Sequence, residues 1–328
     1  MSNVFLTGSA GRIGTLITSE LLKAGYRVTG IDLVEGRITH PNYRHVCCDF
    51  TNPQVIFETM KGCEKVLHIG AFMSWHPKDN IAMFHANVAT TQIVLEAAKQ
   101  NGVERLVFAS SGEVYPESRA RFLPVTENHP CNPASFYGQT KKMGEDLVNF
   151  YQGQGLETTI LRFPHTQLVS EILDPDSFFS GPRFFLDAKI RQMEFFGNMV
   201  MADKLRALRG TDNVPKMLVQ YGEVDGLPYM MHIADARDTA TGVLLAMNHP
   251  AAAKEIFNLG PDDVVEFDKV LPVMAAKMKM PLVKAMMAGT AVRFTTSNEK
   301  IKRMLGYQPQ HTFLAMIEEA SRLKGLAP

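Results

Sequence analysis

Tyr137 and Lys141 stand four residues apart, and Ser111 precedes them in the same half of the chain. A phenol, an ammonium and a hydroxyl brought to one place can move a proton to or from a carbinol oxygen and hold the charge that develops there. On a helix, positions i and i+4 share a face, so Tyr137 and Lys141 would act side by side. A free tyrosine has a pKa of about 10, and a neighbouring ammonium, together with a positively charged cofactor ring, would favour phenolate and bring it towards working pH. Alone the spacing is weak, since a chain with eight tyrosines meets a lysine four residues on by chance. Its weight comes from Thr7, Gly8, Gly11 and Gly14, which form a glycine-rich turn near the start of the chain.

Such a turn needs a strand before it and a helix after it, and both are legible. Val4-Phe5-Leu6 reads as the strand, and the amphipathic stretch from Ile13 to Ala24 as the helix. The glycines would let backbone N–H groups approach a pyrophosphate, whose charge the helix N-terminus favours. Asp32 closes the second apolar run, where a carboxylate accepts hydrogen bonds from an adenosine ribose and repels a 2′-phosphate. NAD is therefore expected over NADP, although Arg12 and Arg37 could neutralise a phosphate. Asp49, after Val46-Cys47-Cys48, is a candidate adenine contact or a plain loop carboxylate.

Further short apolar runs at 27–31, 65–69, 105–109 and 158–162 alternate with helical patterns such as 87–100. Strands alternating with helices predict an α/β fold, a Rossmann-type doubly wound parallel sheet. Asn132 and Pro133 read as N-cap and first position of the helix carrying Tyr137 and Lys141. After about residue 165 the rhythm breaks. One helix is expected from Phe184 to Phe196, then a helix at 235–247, a strand at 256–259 and a helical tail. The expected division is a dinucleotide-binding domain at 1–165, with 232–250 returning to it. A smaller discontinuous α/β substrate lobe would take 166–231 and 251–328.

Composition limits what the chain can do. Its 34 basic and 34 acidic residues cancel, which gives no electrostatic case for nucleic acid or an anionic membrane. No apolar run reaches the roughly 18 residues of a bilayer span. The opening residues read as a first strand rather than a signal peptide, and the location expected is cytoplasmic. Cys47, Cys48, Cys63 and Cys131 show no zinc spacing, so no metal is expected and the cysteines are read as buried thiols.

Taken together, these pieces resemble an extended short-chain dehydrogenase/reductase of the NAD-dependent epimerase/dehydratase family. The matching residues are Thr7, Gly8, Gly11 and Gly14; Asp32; Asn87-Val88 with Thr90; Ser110 to Tyr115; Glu127 with Pro133; Tyr137 and Lys141; and Leu161-Arg162. Later come His232-Ile233 with Asp235, and Leu305 to Pro309. The resemblance implies that Gly8, Gly11, Ile13, Gly14, Asp32, Asp49, Gly70, Ala71, Lys141 and Pro164 surround the cofactor. It implies that Ser111, Tyr137 and Lys141 are catalytic, with Tyr137 and Lys141 also reaching the nicotinamide end. Helices near 84–100 and 133–151 would pair two subunits in a four-helix homodimer interface.

Two departures bear on substrate. Nucleotide-sugar members usually carry an arginine before the His232 segment, and residues 225–231 hold none. After Leu161-Arg162 the chain runs Phe163-Pro164-His165, without the usual turn glycine; Arg183, Arg191, Arg209 or Arg293 could compensate. Glu113 pulls the other way, because Ser111-Gly112-Glu113 resembles the Ser/Thr-x-Glu of sugar-nucleotide dehydratases. The alternative is that Glu113 only hydrogen-bonds near the site entrance. Met73, Ser111, Glu113 and His165 are the substrate-binding candidates. The function expected is an NAD-dependent oxidoreductase interconverting a secondary alcohol and its ketone on a small non-nucleotide substrate. The alternative is a nucleotide-sugar epimerase or dehydratase using tightly bound NAD.

Overall fold

The structure is a computed structural model, and it describes residues 2–326. The chain forms two compact units. The first contains residues 1–164, 236–260 and 296–308. Its strands are β1 (Asn3–Thr7), β2 (Arg27–Asp32), β3 (Tyr43–Cys47), β4 (Lys65–His68), β5 (Arg105–Ser111) and β6 (Thr158–Phe163). With Glu255–Asn258 they make one seven-stranded sheet in the order Glu255–Asn258, β6, β5, β4, β1, β2, β3. Every pairing is parallel.

The strands are apolar on both sides because helices cover both faces. Val4, Leu6, Leu67, Val107 and Leu161 pack on one face with Ile17 and Leu21 of α1 (Arg12–Lys23) and with Val243. Their alternates Phe5, Val66, Leu106, Phe108 and Ile160 pack on the other face with Ile56 of α2 (Pro53–Met60). A short helix α3 (Asn80–Phe84) precedes α4 (Thr90–Gln100), and a π-helical turn, His85–Ala89, joins them. Val94 and Leu95 of α4, with Val148 of α5 (Phe136–Gly153), complete the second face. The strand order reverses at β1, whose neighbours β4 and β2 lie on either side. That switch point is where open α/β sheets take their ligands.

Two expectations about boundaries need correction. Residues 251–260 and 296–308 belong to the first unit rather than the substrate lobe, because Glu255–Asn258 hydrogen-bonds to β6 and Asn298 donates to the Gly260 carbonyl at 3.0 Å. Residues 232–235 go to the second unit, since Ile233–Asp235 pairs with residues 165–167. The start of α5 also differs from the Asn132-Pro133 reading. Ser135 is its N-cap, accepting from the Gly138 N–H at 2.9 Å. The four cysteines are free thiols, but only Cys63 is buried; Cys47 is exposed because β3 is the edge strand of the sheet.

The second unit contains residues 165–235, 261–295 and 309–328. Here β7 (His165–Gln167) pairs with Ile233–Asp235, and β8 (Met217–Gly222) with Leu282–Met287. Its helices include α6 (Val169–Ile172), α7 (Ser180–Phe184), α8 (Leu186–Phe195) and α9 (Met199–Arg209). The helix expected from Phe184 to Phe196 is α8, and the flanking α7 and α9 were not foreseen. Phe184, Met217, Phe267, Leu271, Met274, Phe313 and Ile317 form the main core. Met274 and Met278 lie on the helix Phe267–Met278, and Met286 and Met287 on the strand that follows it. Among the described residues, no helix is long and apolar enough to cross a membrane.

Candidate active site

The glycine turn connects β1 to α1, with Gly11 as N-cap and Arg12 and Ile13 in the first helical turn. Gly8 has φ +73°, and a Cβ there would lie 2.6 Å from the Gly70 Cα. At Gly14 a Cβ would sit 1.9 Å from the Gly8 carbonyl oxygen. No side chain fits at either position, so the backbone of β1, α1 and the segment after β4 meets as bare peptide. Asp32 ends β2 and clamps the turn: its carboxylate accepts from Ala10 N at 2.9 Å and from Leu33 N at 2.7 Å. A helix N-terminus, an uncluttered backbone cradle and a carboxylate at the end of the next strand suit a dinucleotide's pyrophosphate and ribose.

Other residues expected around the cofactor lie at strand ends of the same unit. Gly70 donates to Thr7 through both the Thr7 carbonyl, at 3.1 Å, and the Thr7 hydroxyl, at 3.0 Å. Ala71 is exposed just beyond it, and Met73 is half-buried in the same loop. Asp49 is exposed, and its carboxylate accepts from Thr51 N at 2.9 Å, which holds it below the usual carboxylate range. Pro164 is the last residue of the first segment of this unit.

Ser111 ends β5, and Glu113 lies in the following 3-10 turn, Gly112–Val114. The Ser111 hydroxyl oxygen accepts from Glu113 N at 3.1 Å, which leaves its O–H able to donate elsewhere. Ser135 donates its hydroxyl to the Glu113 carboxylate at 2.5 Å, fastening that turn to the start of α5. Gly138 permits the close approach, since a Cβ there would fall 2.2 Å from the Glu113 carbonyl oxygen. Tyr137 and Lys141 then lie on one face of α5, within the same unit as Ser111.

The protein's own groups do not by themselves favour the phenolate. Burial, and next the Glu113 carboxylate, raise the Tyr137 hydroxyl above its ordinary value rather than lowering it. Lys141 carries the opposite shift: burial brings its ammonium down to about 8, with Glu145 opposing. Its Nζ stands 4.8 Å from the centroid of Phe108. With its hydroxyl so raised, the tyrosine is a neutral phenol near neutral pH.

Sequence reading passed over His68, at the end of β4, whose ring packs on Phe108 at 5.6 Å. Burial, then the Lys141 charge, take its pKa down to about 3. The hydrogen bonds fix its tautomer. Thr91 donates its hydroxyl to the Asn87 carbonyl at 2.6 Å, so it can only accept from His68 Nε2, at 2.9 Å. Nδ1 therefore accepts from the Thr7 hydroxyl at 2.7 Å, and Thr7 accepts from Gly70 N. Asn87 continues the chain of bonds: its side-chain amide donates to Thr140 at 3.0 Å and to the Phe72 carbonyl at 2.8 Å. Thr140 donates to the Tyr137 carbonyl at 2.7 Å. The glycine turn and the tyrosine helix thus share one polar network, and Asn87 enters it from the π-helical turn. A polar residue ending an otherwise apolar central strand was the available signal.

His68 also predicts a pH response. Its folded pKa is depressed, so the unfolded chain binds more protons below the ordinary value near 6.5. Its contribution to stability is full above that pH and is lost as pH falls towards about 3, at roughly 1.4 kcal/mol per pH unit. Thermal unfolding followed from pH 7 to 4.5 should show a shallower decline in His68→Gln than in the parent; parallel curves would refute this.

His165 belongs to the second unit, where it begins β7 and meets Arg183. Among the described residues, no group of His, Cys, Asp and Glu is placed to hold a metal ion.

Comparison with known proteins follows this geometry. The model of the NAD dependent epimerase/dehydratase family matches residues 4–260. A short-chain dehydrogenase/reductase superfamily protein from Agrobacterium tumefaciens, solved with bound NAD, is 44% identical, with a TM-score of 0.93 over 98% of this chain and 97% of that one. The UDP-glucose 4-epimerase of Corynebacterium glutamicum is 26% identical over 327 residues, covering 96% of this chain and 93% of its own. The uronate dehydrogenase of Pseudomonas syringae pv. tomato is 29% identical over 175 residues, 51% of this chain and 62% of its own. The chain spans less than two thirds of the length of the first curated relatives it matches.

Proposed function

Because the chain belongs to the NAD-dependent epimerase/dehydratase family of extended short-chain dehydrogenases/reductases, we propose that it interconverts a secondary alcohol and its ketone on a small non-nucleotide substrate. The observation that carries the reading is the arrangement of Ser111, Tyr137 and Lys141 in one unit. A half-buried tyrosine and a buried ammonium share a face of α5, and the turn after Ser111 is fastened to that helix. Gly8, Gly11, Arg12, Ile13, Gly14, Asp32, Gly70, Ala71 and Pro164 would hold the dinucleotide, with Asp49 towards the adenine. What bound NAD supplies is a hydride acceptor.

The chain's own residues do the proton work. Ser111 donates its free O–H to the substrate oxygen, and Tyr137 takes or returns the carbinol proton. Lys141 places positive charge beside that phenol and reaches the cofactor's ribose. The positive charge of an oxidised nicotinamide would add to that of Lys141 and offset burial and Glu113, which otherwise keep Tyr137 protonated.

The absence of arginine from residues 225–231 favours a small substrate over a nucleotide sugar, as does similarity to uronate dehydrogenases. Similarity to UDP-glucose 4-epimerase over nearly the whole chain supports the second reading, in which oxidation and re-reduction occur within one turnover. We further propose a homodimer through the helices near 84–100 and 133–151, which exposed Phe84 and Phe150 support, and a cytoplasmic location.

Denaturing the purified protein after incubation with labelled NAD separates the readings. Full exchange, or little bound dinucleotide, is expected of a dehydrogenase. About one unexchanged NAD per chain would instead establish an epimerase or dehydratase cycle.

A further inference from the structure

In the first unit, the segment that follows β2 is held from two sides. Asp32 takes its backbone N–H groups: Oδ1 accepts from Leu33 N at 2.7 Å and from Val34 N at 3.4 Å. Side chains of β3 take its carbonyls. The Cys47 thiol donates to the Leu33 carbonyl at 3.3 Å, and His45 Nε2 donates to the Val34 carbonyl at 2.9 Å. A carbonyl only accepts, so Nε2 carries the ring proton and Nδ1 is an acceptor. Nδ1 accepts from the Tyr43 hydroxyl at 3.0 Å, and the Ser9 hydroxyl stands 3.3 Å from it. Ser9 belongs to the glycine turn, between Gly8 and Ala10. One imidazole thus connects that turn with the segment beyond Asp32.

Two glycines make room for this cluster. A Cβ on Gly30 would fall 2.5 Å from Ser9 Oγ and 2.7 Å from Tyr43 Oη, and one on Gly36 would fall 2.9 Å from the His45 ring. Ser9 is buried, so its hydroxyl is confined to these partners. Burial raises the Tyr43 hydroxyl above its ordinary value, with a Ser9 hydrogen bond opposing and the Asp32 charge adding, so the phenol keeps the proton it donates. Leu33 and Val34, by contrast, are 62% and 58% exposed. Their side chains pack against too little to fix the segment, and its shape therefore rests on the bonds from Asp32 and β3.

We propose that Ser9, Tyr43 and His45 are positioning residues that fix segment 33–36 for the adenosine ribose of NAD and against a 2′-phosphate. The inference is independent of the substrate and rests only on the dinucleotide lying at the glycine turn and Asp32. A 2′-phosphate binds through N–H donors. Those of Leu33 and Val34 are turned to Asp32, and holding the carbonyls of the same residues on β3 stops the peptide units from rotating to release them. His45 touches no reacting atom; it acts through the backbone it holds.

Calorimetric titration of the protein with NADH, NADPH and ADP-ribose tests this. His45→Leu removes both a donor and an acceptor and should weaken NADH about tenfold. ADP-ribose, which lacks the nicotinamide, should lose the same factor. NADPH should lose less, so the preference for NADH narrows. His45→Gln, whose amide both donates and accepts, should bind NADH within about threefold of the parent. Tyr43→Phe removes one oxygen and should weaken NADH about threefold, which keeps the test decisive if His45→Leu fails to fold. Unchanged NADH affinity in these variants overturns the cluster, as does an equal loss in His45→Leu and His45→Gln, which would mark ring packing alone. An equal loss for NADH and NADPH overturns the selectivity. Asp32→Ala keeps the two readings apart. If it leaves NADH binding unchanged, the placing of the dinucleotide fails; if it weakens NADH while His45→Leu and Tyr43→Phe do not, the cluster alone fails.

Discussion

Tyr137→Phe should leave a folded, NAD-binding protein whose turnover is lower by about 10²- to 10⁴-fold. The substitution removes one oxygen and no side-chain hydrogen bond that holds the fold, because α5 is tied through Ser135, Thr140 and Glu145. The loss should appear in kcat with little change in NAD affinity. Stopped-flow measurement of NADH formation checks it, and a rate within threefold of the parent would remove Tyr137 from the proton path. The electrostatics add a second readout. The Glu113 carboxylate raises the Tyr137 hydroxyl, so Glu113→Gln lowers it. Oxidation needs the phenolate, which forms as pH rises; the rising limb of kcat/KM should therefore move to lower pH in Glu113→Gln. A shift the other way would mean that Glu113 transfers the proton itself.

Arg162→Met should cost about 3–5 kcal/mol of stability, the largest loss expected from a single replacement outside the glycine turn. Arg162 on β6 and Glu145 on α5 are both almost wholly buried and bond twice, at 2.8 and 2.7 Å. Ser110 donates to the same carboxylate at 2.6 Å, and Arg162 donates to the Tyr115 hydroxyl at 2.6 Å. Tyr115 in turn donates to Asn258 at 2.8 Å. Removing the guanidinium strands a carboxylate in the interior, which is worse than having no charges there. Arg162→Met combined with Glu145→Leu should accordingly recover most of the loss. Urea denaturation of the parent and both variants tests this. Equal stability of single and double variants would mean that the pair acts only through packing. Glu145 also lies one helical turn beyond Lys141 and opposes the fall in its pKa, so the single variant should alter the pH profile of activity as well.

Local pattern made some of this legible. The glycine turn, Asp32 at the end of β2 and the Tyr137–Lys141 spacing are each a few consecutive residues whose geometry depends on their own backbone. The parallel sheet was readable for a related reason: strands covered on both faces must be apolar at successive positions, as Val4, Phe5 and Leu6 are. Misreadings came where competing local signals were equal. Asn132-Pro133 is a good helix start in isolation, but Ser135 caps α5 because Glu113, 22 residues upstream, takes its hydroxyl. The helix read over Phe184 to Phe196 begins at Leu186, because Phe185 has an extended backbone that forms a bridge to Met217 and separates it from α7.

By itself, then, the order of residues determined the family, the fold class and the cofactor, and it supplied the candidates proposed for the dinucleotide turn and the proton path. Only the tertiary structure decided their protonation and partners. His68 is neutral because burial and then the Lys141 charge disfavour its protonation; Tyr137 is a phenol because burial and Glu113 disfavour its charge. These properties depend on distance and desolvation between residues far apart in the chain, and spacing along a sequence contains neither.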